Sequence, residues 1–122
     1  MVFLNKKKRS YYFGWLAEFC VYIFFLSQGY RCIAWRKATP VGEIDFIVKR
    51  KTQLIFVEVK YRKTYPHDDP ISYHQKQRIV RAAKYFLSGH QDLIEYDMRF
   101  DVLAITKPFQ ITHLDNAWVA GA

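Results

Sequence analysis

The chain has 122 residues and carries 19 Lys and Arg against 11 Asp and Glu, a formal net charge of +8 with a pI near 9.6. That length suits one domain with its own core and leaves no room for a second. The positive balance favours a polyanionic partner, nucleic acid first and the ribosome or an acidic membrane after it. Two cysteines in apolar patterns, with no CxxC and four scattered histidines, exclude a disulfide scaffold or zinc site and fit a reducing, cytoplasmic setting. No glycine-rich phosphate loop or serine nucleophile elbow is present.

Residues 1–9, with the basic run Lys6-Lys7-Lys8-Arg9, read as a flexible arm ahead of the domain. Ser10 is the expected N-cap of a helix from Tyr11 to about Gln28, with Gly29 as its C′ residue. Phe13, Trp15, Leu16, Phe19, Val21, Ile23, Phe24, Phe25 and Leu26 make this helix apolar on nearly every side, which predicts burial. Glu18 is the one charged residue in that stretch and needs a cation, a basic partner or a proton. The apolar run from Phe19 to Leu26 is too short to span a bilayer, which takes about 20 residues, and no small-residue cleavage site follows it.

Tyr30–Arg36 reads as the first strand. Two further segments alternate at period two: Gly42-Glu43-Ile44-Asp45-Phe46-Ile47-Val48, and Ile55-Phe56-Val57-Glu58-Val59-Lys60. The alternation sets Ile44, Phe46 and Val48 on one side, and Glu43, Asp45 and Ile47 on the other. Lys49-Arg50-Lys51-Thr52 is the turn, and centring it between Lys51 and Thr52 pairs residue i with residue 103 − i. Asp45 then faces Glu58, and Glu43 faces Lys60, on one side of the sheet. Two carboxylates and a lysine converging on hydrophobic strands is a patch suited to a divalent cation. The same alternation also describes the ordinary solvated face of an antiparallel sheet, with Glu43–Lys60 as a cross-strand ion pair.

Tyr61 to about Ile71 is a long loop that leaves the strand directly after Lys60, a rim or flap over the patch. Ser72 and Gln75 form an S-x-x-Q capping box for a helix running to Leu87, with Gly89 beyond its end. Ile79, Val80, Ala82, Ala83, Phe86 and Leu87 make the core stripe. Lys76, Arg78, Arg81 and Lys84 leave a basic face, which is either plain solvated surface or, beside a metal patch, a place for phosphates. Strands follow at Arg99–Ile105 and Gln110–Leu114 around a turn at Thr106-Lys107-Pro108, and residues 120–122 are a tail. Helices on a mixed central sheet imply an α/β, more closely an α+β layered, architecture over residues 10–119.

Several blocks in this order carry a resemblance: Glu18, Gly29-Tyr30, Gly42-Glu43-Ile44-Asp45, Val57-Glu58-Val59-Lys60 with Arg62, Lys76-Gln77-Arg78 before Ala82-Ala83, and Arg99-Phe100-Asp101-Val102. From about Ser10 to Trp118 the chain resembles the YraN family of small bacterial proteins, whose motif is similar to that of the restriction-endonuclease-like, PD-(D/E)xK nucleases. The resemblance implies that fold and a Mg²⁺- or Mn²⁺-dependent endonuclease hydrolysing DNA phosphodiester bonds. Its alternative is a nucleic-acid-binding or assembly factor that keeps the fold without cleaving. It implies Asp45 and Glu58 as metal ligands, Lys60 as the motif lysine at the attacking water, and Glu18 as the helix glutamate, a further ligand or a support to one. Arg62, Lys63, Lys76, Arg78, Arg81 and Lys84 are the expected DNA contacts. Two departures are visible: Ile44, not proline, precedes Asp45, and Gln77 is followed four positions on by Arg81, not tyrosine.

Overall fold

The strand-forming stretches from residue 31 to residue 61 are separated by two-residue turns, too short for anything but antiparallel hairpins. In the computed structural model, which describes residues 6–61, 71–107 and 110–118, they form a meander of β1 (Arg31–Thr39), β2 (Gly42–Arg50) and β3 (Gln53–Tyr61). Lys51 takes a positive φ of 56° in the second hairpin. The β2–β3 ladder pairs Phe46 with Val57, Ile47 with Phe56 and Val48 with Ile55, which is the register expected from the sequence. It stops at Phe46–Val57, so the expected cross-strand pair Glu43–Lys60 does not form a rung and the two strands part beyond that point.

From β3 the chain crosses through α2 (Tyr73–Ser88) and a short 3₁₀ turn, Gln91–Leu93, to β4 (Asp97–Lys107), which runs parallel to β3. A parallel return needs such a crossover of a dozen or more residues. Strand β5 (Gln110–Trp118) pairs antiparallel with β4, giving one mixed sheet in the order β1-β2-β3-β4-β5. Central β3 reads as an unbroken apolar run over Leu54–Val57, all fully buried, because both its faces are covered. Helix α1 (Lys6–Ser27) covers one face: Ala17, Val21 and Phe25 pack with Phe46, Val48, Ile55, Val57, Val59, Leu103 and Ile105. On the other face, Ile79, Val80, Ala82, Ala83 and Phe86 of α2 pack with Ile47, Leu54, Phe56, Phe100, Val102 and Trp118. This is a helix–sheet–helix, α+β layered arrangement, consistent with a restriction-endonuclease-like fold.

Helix ends follow their local chemistry. Ser72 accepts from the Gln75 N–H and the Gln75 side chain accepts from the Ser72 N–H, both at 3.2 Å, so the capping box forms. Gly29 has φ 86°; its N–H donates to Leu26 O and the Tyr30 N–H donates to Phe25 O, a Schellman end that only the αL region permits. The start of α1 differs from expectation: the helix already includes Lys6, so Ser10 lies inside it and is not its N-cap, and the basic run belongs to its first turns.

Three other expectations are corrected. Ile44 packs with the α2 cluster while Phe46 and Val48 pack with the α1 cluster, so the strict alternation fails at Asp45. Across the ladder from that switch, Arg36 of β1 takes φ 56° between the pairs Trp35–Phe46 and Lys37–Ile44. Next, β5 runs on to Trp118, because Asn116 (φ 49°) allows a shift in register that brings Trp118 opposite Phe100, their rings 5.1 Å apart. Finally, α1 is buried along one side only. Trp15, Leu16, Phe19, Ile23 and Leu26 are all more than a third exposed, since one helix on one sheet face can bury only one stripe. No helix among the described residues is long and apolar enough to cross a membrane.

Candidate metal centre

Where β2 and β3 part, their side chains replace the missing backbone rungs. The Val59 N–H donates to Asp45 Oδ2 at 2.8 Å, which holds the Asp45 carboxylate against β3. Glu58, one residue earlier on β3, is half-buried and hydrogen-bonded to Asp45. Burial first, then that hydrogen bond and the Asp45 charge, push the Glu58 carboxyl up to about 9, against the pull of Lys60 and Arg78. Glu58 therefore holds its proton well above the pH at which an ordinary glutamate loses it. The structure brings Asp45, Glu58, Lys60 and Arg78 into one centre, three of them from adjacent strands and the fourth from α2.

Gly42 explains how α2 reaches the strands. It sits at φ 149°, and a Cβ there would lie 3.0 Å from Arg78 Cγ and 3.2 Å from Cδ. Arg78 thus lies across the β1–β2 turn, on a surface that only glycine leaves free, with its charge directed at Glu58. Arg81 and Lys84 are exposed on the same helix, whereas Lys76 is half-buried. Arg62 and Lys63 lie outside the described residues.

Glu18 is buried, but its partners are basic. Arg36 donates to it through Nε at 3.0 Å and Nη2 at 2.5 Å, and Trp35 Nε1 donates to Oε1 at 3.1 Å. Of the three ways to satisfy this carboxylate the fold uses an arginine, which engages both its oxygens. Tyr61 lies within the charge fields of both Glu18 and Asp45. The Tyr61 hydroxyl, which donates to Gly14 O at 3.2 Å, is held above its usual range by burial and then by the charges of Glu18 and Asp45.

Sequence reasoning missed Arg36, Trp35 and Tyr61. Arg36 closes the predicted strand with no local signal of its positive φ, and only its position opposite Asp45 hints at a role. Tyr61 directly follows the motif lysine, and alternation from Val59 would have turned it toward α1.

A second buried carboxylate, Asp101, is fully enclosed and already satisfied. Arg99 donates to both its oxygens at 2.9 Å, the Asn116 N–H donates at 2.9 Å, and His113 Nε2 lies 2.6 Å away. Burial would raise its pKa, but these hydrogen bonds and the Arg99 charge win and hold it below the usual range. With every oxygen engaged it anchors β5 to β4 and has no capacity for an ion. Among the described residues no group of three or more His, Cys, Asp or Glu could hold a metal. The Asp45–Glu58 pair is a two-carboxylate set, which suits a hard cation that keeps its remaining positions for water and phosphate.

The model of the uncharacterised protein family UPF0102 matches residues 17–105, which include every residue of this centre. The chain is 36% identical over 105 residues to a UPF0102 protein of Ehrlichia ruminantium (strain Gardel), covering 86% of this chain and 82% of the relative. It is 35% identical over 102 residues to one from Agrobacterium fabrum, covering 83% and 84%. A third, from Nitrobacter winogradskyi, is 35% identical over 114 residues, covering 91% of this chain and 95% of the relative. With the matched segment holding both helix–sheet layers and the acid pair, the chain belongs to the UPF0102, or YraN, family.

Proposed function

We propose that this protein is a nucleic-acid-binding, metal-dependent phosphodiesterase that acts on DNA at the Asp45–Glu58–Lys60 centre. The observation that carries the reading is the placement of the Asp45 and Glu58 carboxyls against each other at the parting of β2 and β3, with Asp45 fixed by the Val59 N–H at 2.8 Å and two cationic side chains beside them. Two acids forced together at the parting of two strands are destabilising for the fold alone, and perturbed carboxylates of this kind cluster at functional sites. A divalent cation held by the pair would offset that cost.

Asp45 and Glu58 would hold Mg²⁺ or Mn²⁺ with oxygen donors. When bound, such an ion polarises a phosphoryl oxygen and lowers the pKa of its water. The protein supplies the rest. The Val59 N–H fixes the Asp45 carboxylate. Lys60 orients the attacking water and offsets charge on the scissile phosphate. Arg78, lying over Gly42, adds a second positive charge on the phosphate side. In the reaction the water oxygen bonds to phosphorus, the bond from phosphorus to the leaving oxygen breaks, and the net proton moves from water to the leaving group. The net charge of +8 favours recruiting the polyanion.

The deciding experiment incubates the purified protein with duplex, single-stranded and branched DNA in Mg²⁺, Mn²⁺ or EDTA. Cleavage with a metal ion, absent in EDTA and abolished by Asp45→Asn or Glu58→Gln with DNA affinity retained, is the expected result. Binding without cleavage over the whole screen would make the protein a nucleic-acid-binding or assembly factor that keeps the fold.

A further inference from the structure

The outer side of α1 is the least ordinary surface of the molecule. Between Trp15 and Leu26 every exposed residue is large and apolar: Trp15, Leu16, Phe19, Ile23 and Leu26 stand 38% to 50% exposed. The one charge in that span, Glu18, is turned inward to Arg36. A surface helix normally presents polar residues outward. Taking about 200 Å² for a large side chain, these five leave roughly 450 Å² of apolar surface bare, within the range of patches that mark interaction sites.

We propose that this face is a self-association surface on which α1 packs antiparallel against α1 of a second copy. Leu16, Phe19, Ile23 and Leu26 recur at spacings of three, four and three, the seam of a helix pair. That set is its own complement: in an antiparallel pair Leu16 of one copy faces Leu26 of the other, and Phe19 faces Ile23, as a two-fold interface requires. With its half-buried neighbours Cys20, Tyr22 and Phe24, each copy would bury somewhat more than the bare patch, the size of a weak, reversible dimer on a scale where about 800 Å² per partner is standard.

Charge selects the orientation. Lys6–Arg9 lie in the first turns of the same helix. Parallel pairing would set the two basic runs at about the 8–10 Å interaxial distance. Antiparallel pairing about the Phe19–Ile23 centre sets them roughly 40 Å apart along the axis, several times the Debye length of about 8 Å at physiological salt. A lipid surface is the competing occupant, since Arg36 lies over the Trp15 ring at the stripe's edge, 4.5 Å from its centroid, and vesicle binding is therefore one arm of the test.

The test is sedimentation velocity of the full chain from 1 to about 200 μM. Wild type is expected to show a concentration-dependent monomer–dimer equilibrium. Phe19→Asp should weaken it by about a hundredfold or more, since a two-fold axis counts each substitution twice, and Phe19→Leu should retain it. Circular dichroism checks that both variants keep the fold. In a Cys20→Ser, Cys32→Ala background, a short bismaleimide should cross-link a mixture of Leu16→Cys and Leu26→Cys chains to each other and neither variant to itself. A monomer at every concentration, a dimer indifferent to Phe19→Asp, or association seen only with anionic vesicles would each overturn the proposal.

Discussion

Replacing Glu58 by Gln should stabilise the metal-free protein while removing its response to metal. In the folded chain the Glu58 carboxyl is pushed up to about 9 by burial and by Asp45; unfolded, it ionises near its ordinary 4.5. A raised carboxyl contributes stability that is complete below the unfolded pKa and is lost as pH climbs toward the folded one. Over that window the folded state binds more protons than the unfolded, so stability falls with rising pH by up to about 1.4 kcal/mol per unit. At pH 7.5, three units above 4.5, the ceiling is about 4 kcal/mol, and discounting for the solvent that still reaches Glu58 leaves about 1–3 kcal/mol. Glutamine keeps the shape and can donate to Asp45 as the protonated acid does, so it recovers most of that cost.

The assay is thermal unfolding in EDTA and in millimolar Mn²⁺ at pH 5 and pH 8. In EDTA at pH 8, Glu58→Gln should melt at least about 3 °C above wild type, given about 3–6 °C per kcal/mol for a domain of this size; at pH 5 the gap should nearly close. In Mn²⁺ the gap should narrow, since a ligand at ten times its Kd adds about 1.4 kcal/mol to wild type alone. The reasoning fails if the variant gains nothing at pH 8 in EDTA, or gains equally at both pH values.

Four further outcomes are expected. Arg36→Ala should destabilise by about 2–4 kcal/mol in chemical denaturation, because it strands the buried Glu18 carboxylate, and Glu18→Gln should keep the metal-dependent melting shift that Asp45→Asn loses. Gly42→Ala should cost about 1–3 kcal/mol and disturb DNA affinity, since its Cβ would meet Arg78 Cγ at 3.0 Å at a φ of 149°; an unaltered melting point would count against the packing. Arg78→Ala with Arg81→Ala should lower the slope of log affinity against log salt by roughly two units on duplex DNA, and an unchanged slope would mean that this face is only solvated surface. Asp101→Asn should cost about 3 kcal/mol at pH 7 and much less near pH 3, because a depressed carboxyl lends its stability above its unfolded pKa and loses it as pH falls.

What could be read beforehand depended on how far along the chain the decisive partner lay. Asp45 and Glu58 are joined by a hairpin whose short turn fixes the register, so their opposition followed from counting residues, and the ladder at Phe46–Val57 has that register. The capping box and the Gly29 terminus were equally local. The rest turned on residues supplied from elsewhere. Arg36 arrives from β1, eighteen positions after Glu18, and claims both its oxygens; no periodicity in α1 distinguishes that outcome from a metal ligand. The switch of face between Ile44 and Phe46 lies opposite a positive φ on the neighbouring strand, which alternation within β2 cannot reveal. Most misleading was α1, where apolar residues on every side read as burial. Burial needs a neighbour on every side, and the described residues supply one sheet face. The excess apolar side is therefore information about an absent partner, and it lies on the helix whose Gly14 carbonyl is hydrogen-bonded to Tyr61, next to Lys60. A partner seated on α1 would press on the same helix that borders the acid pair, so self-association and activity at the centre should be measured together on the same variants.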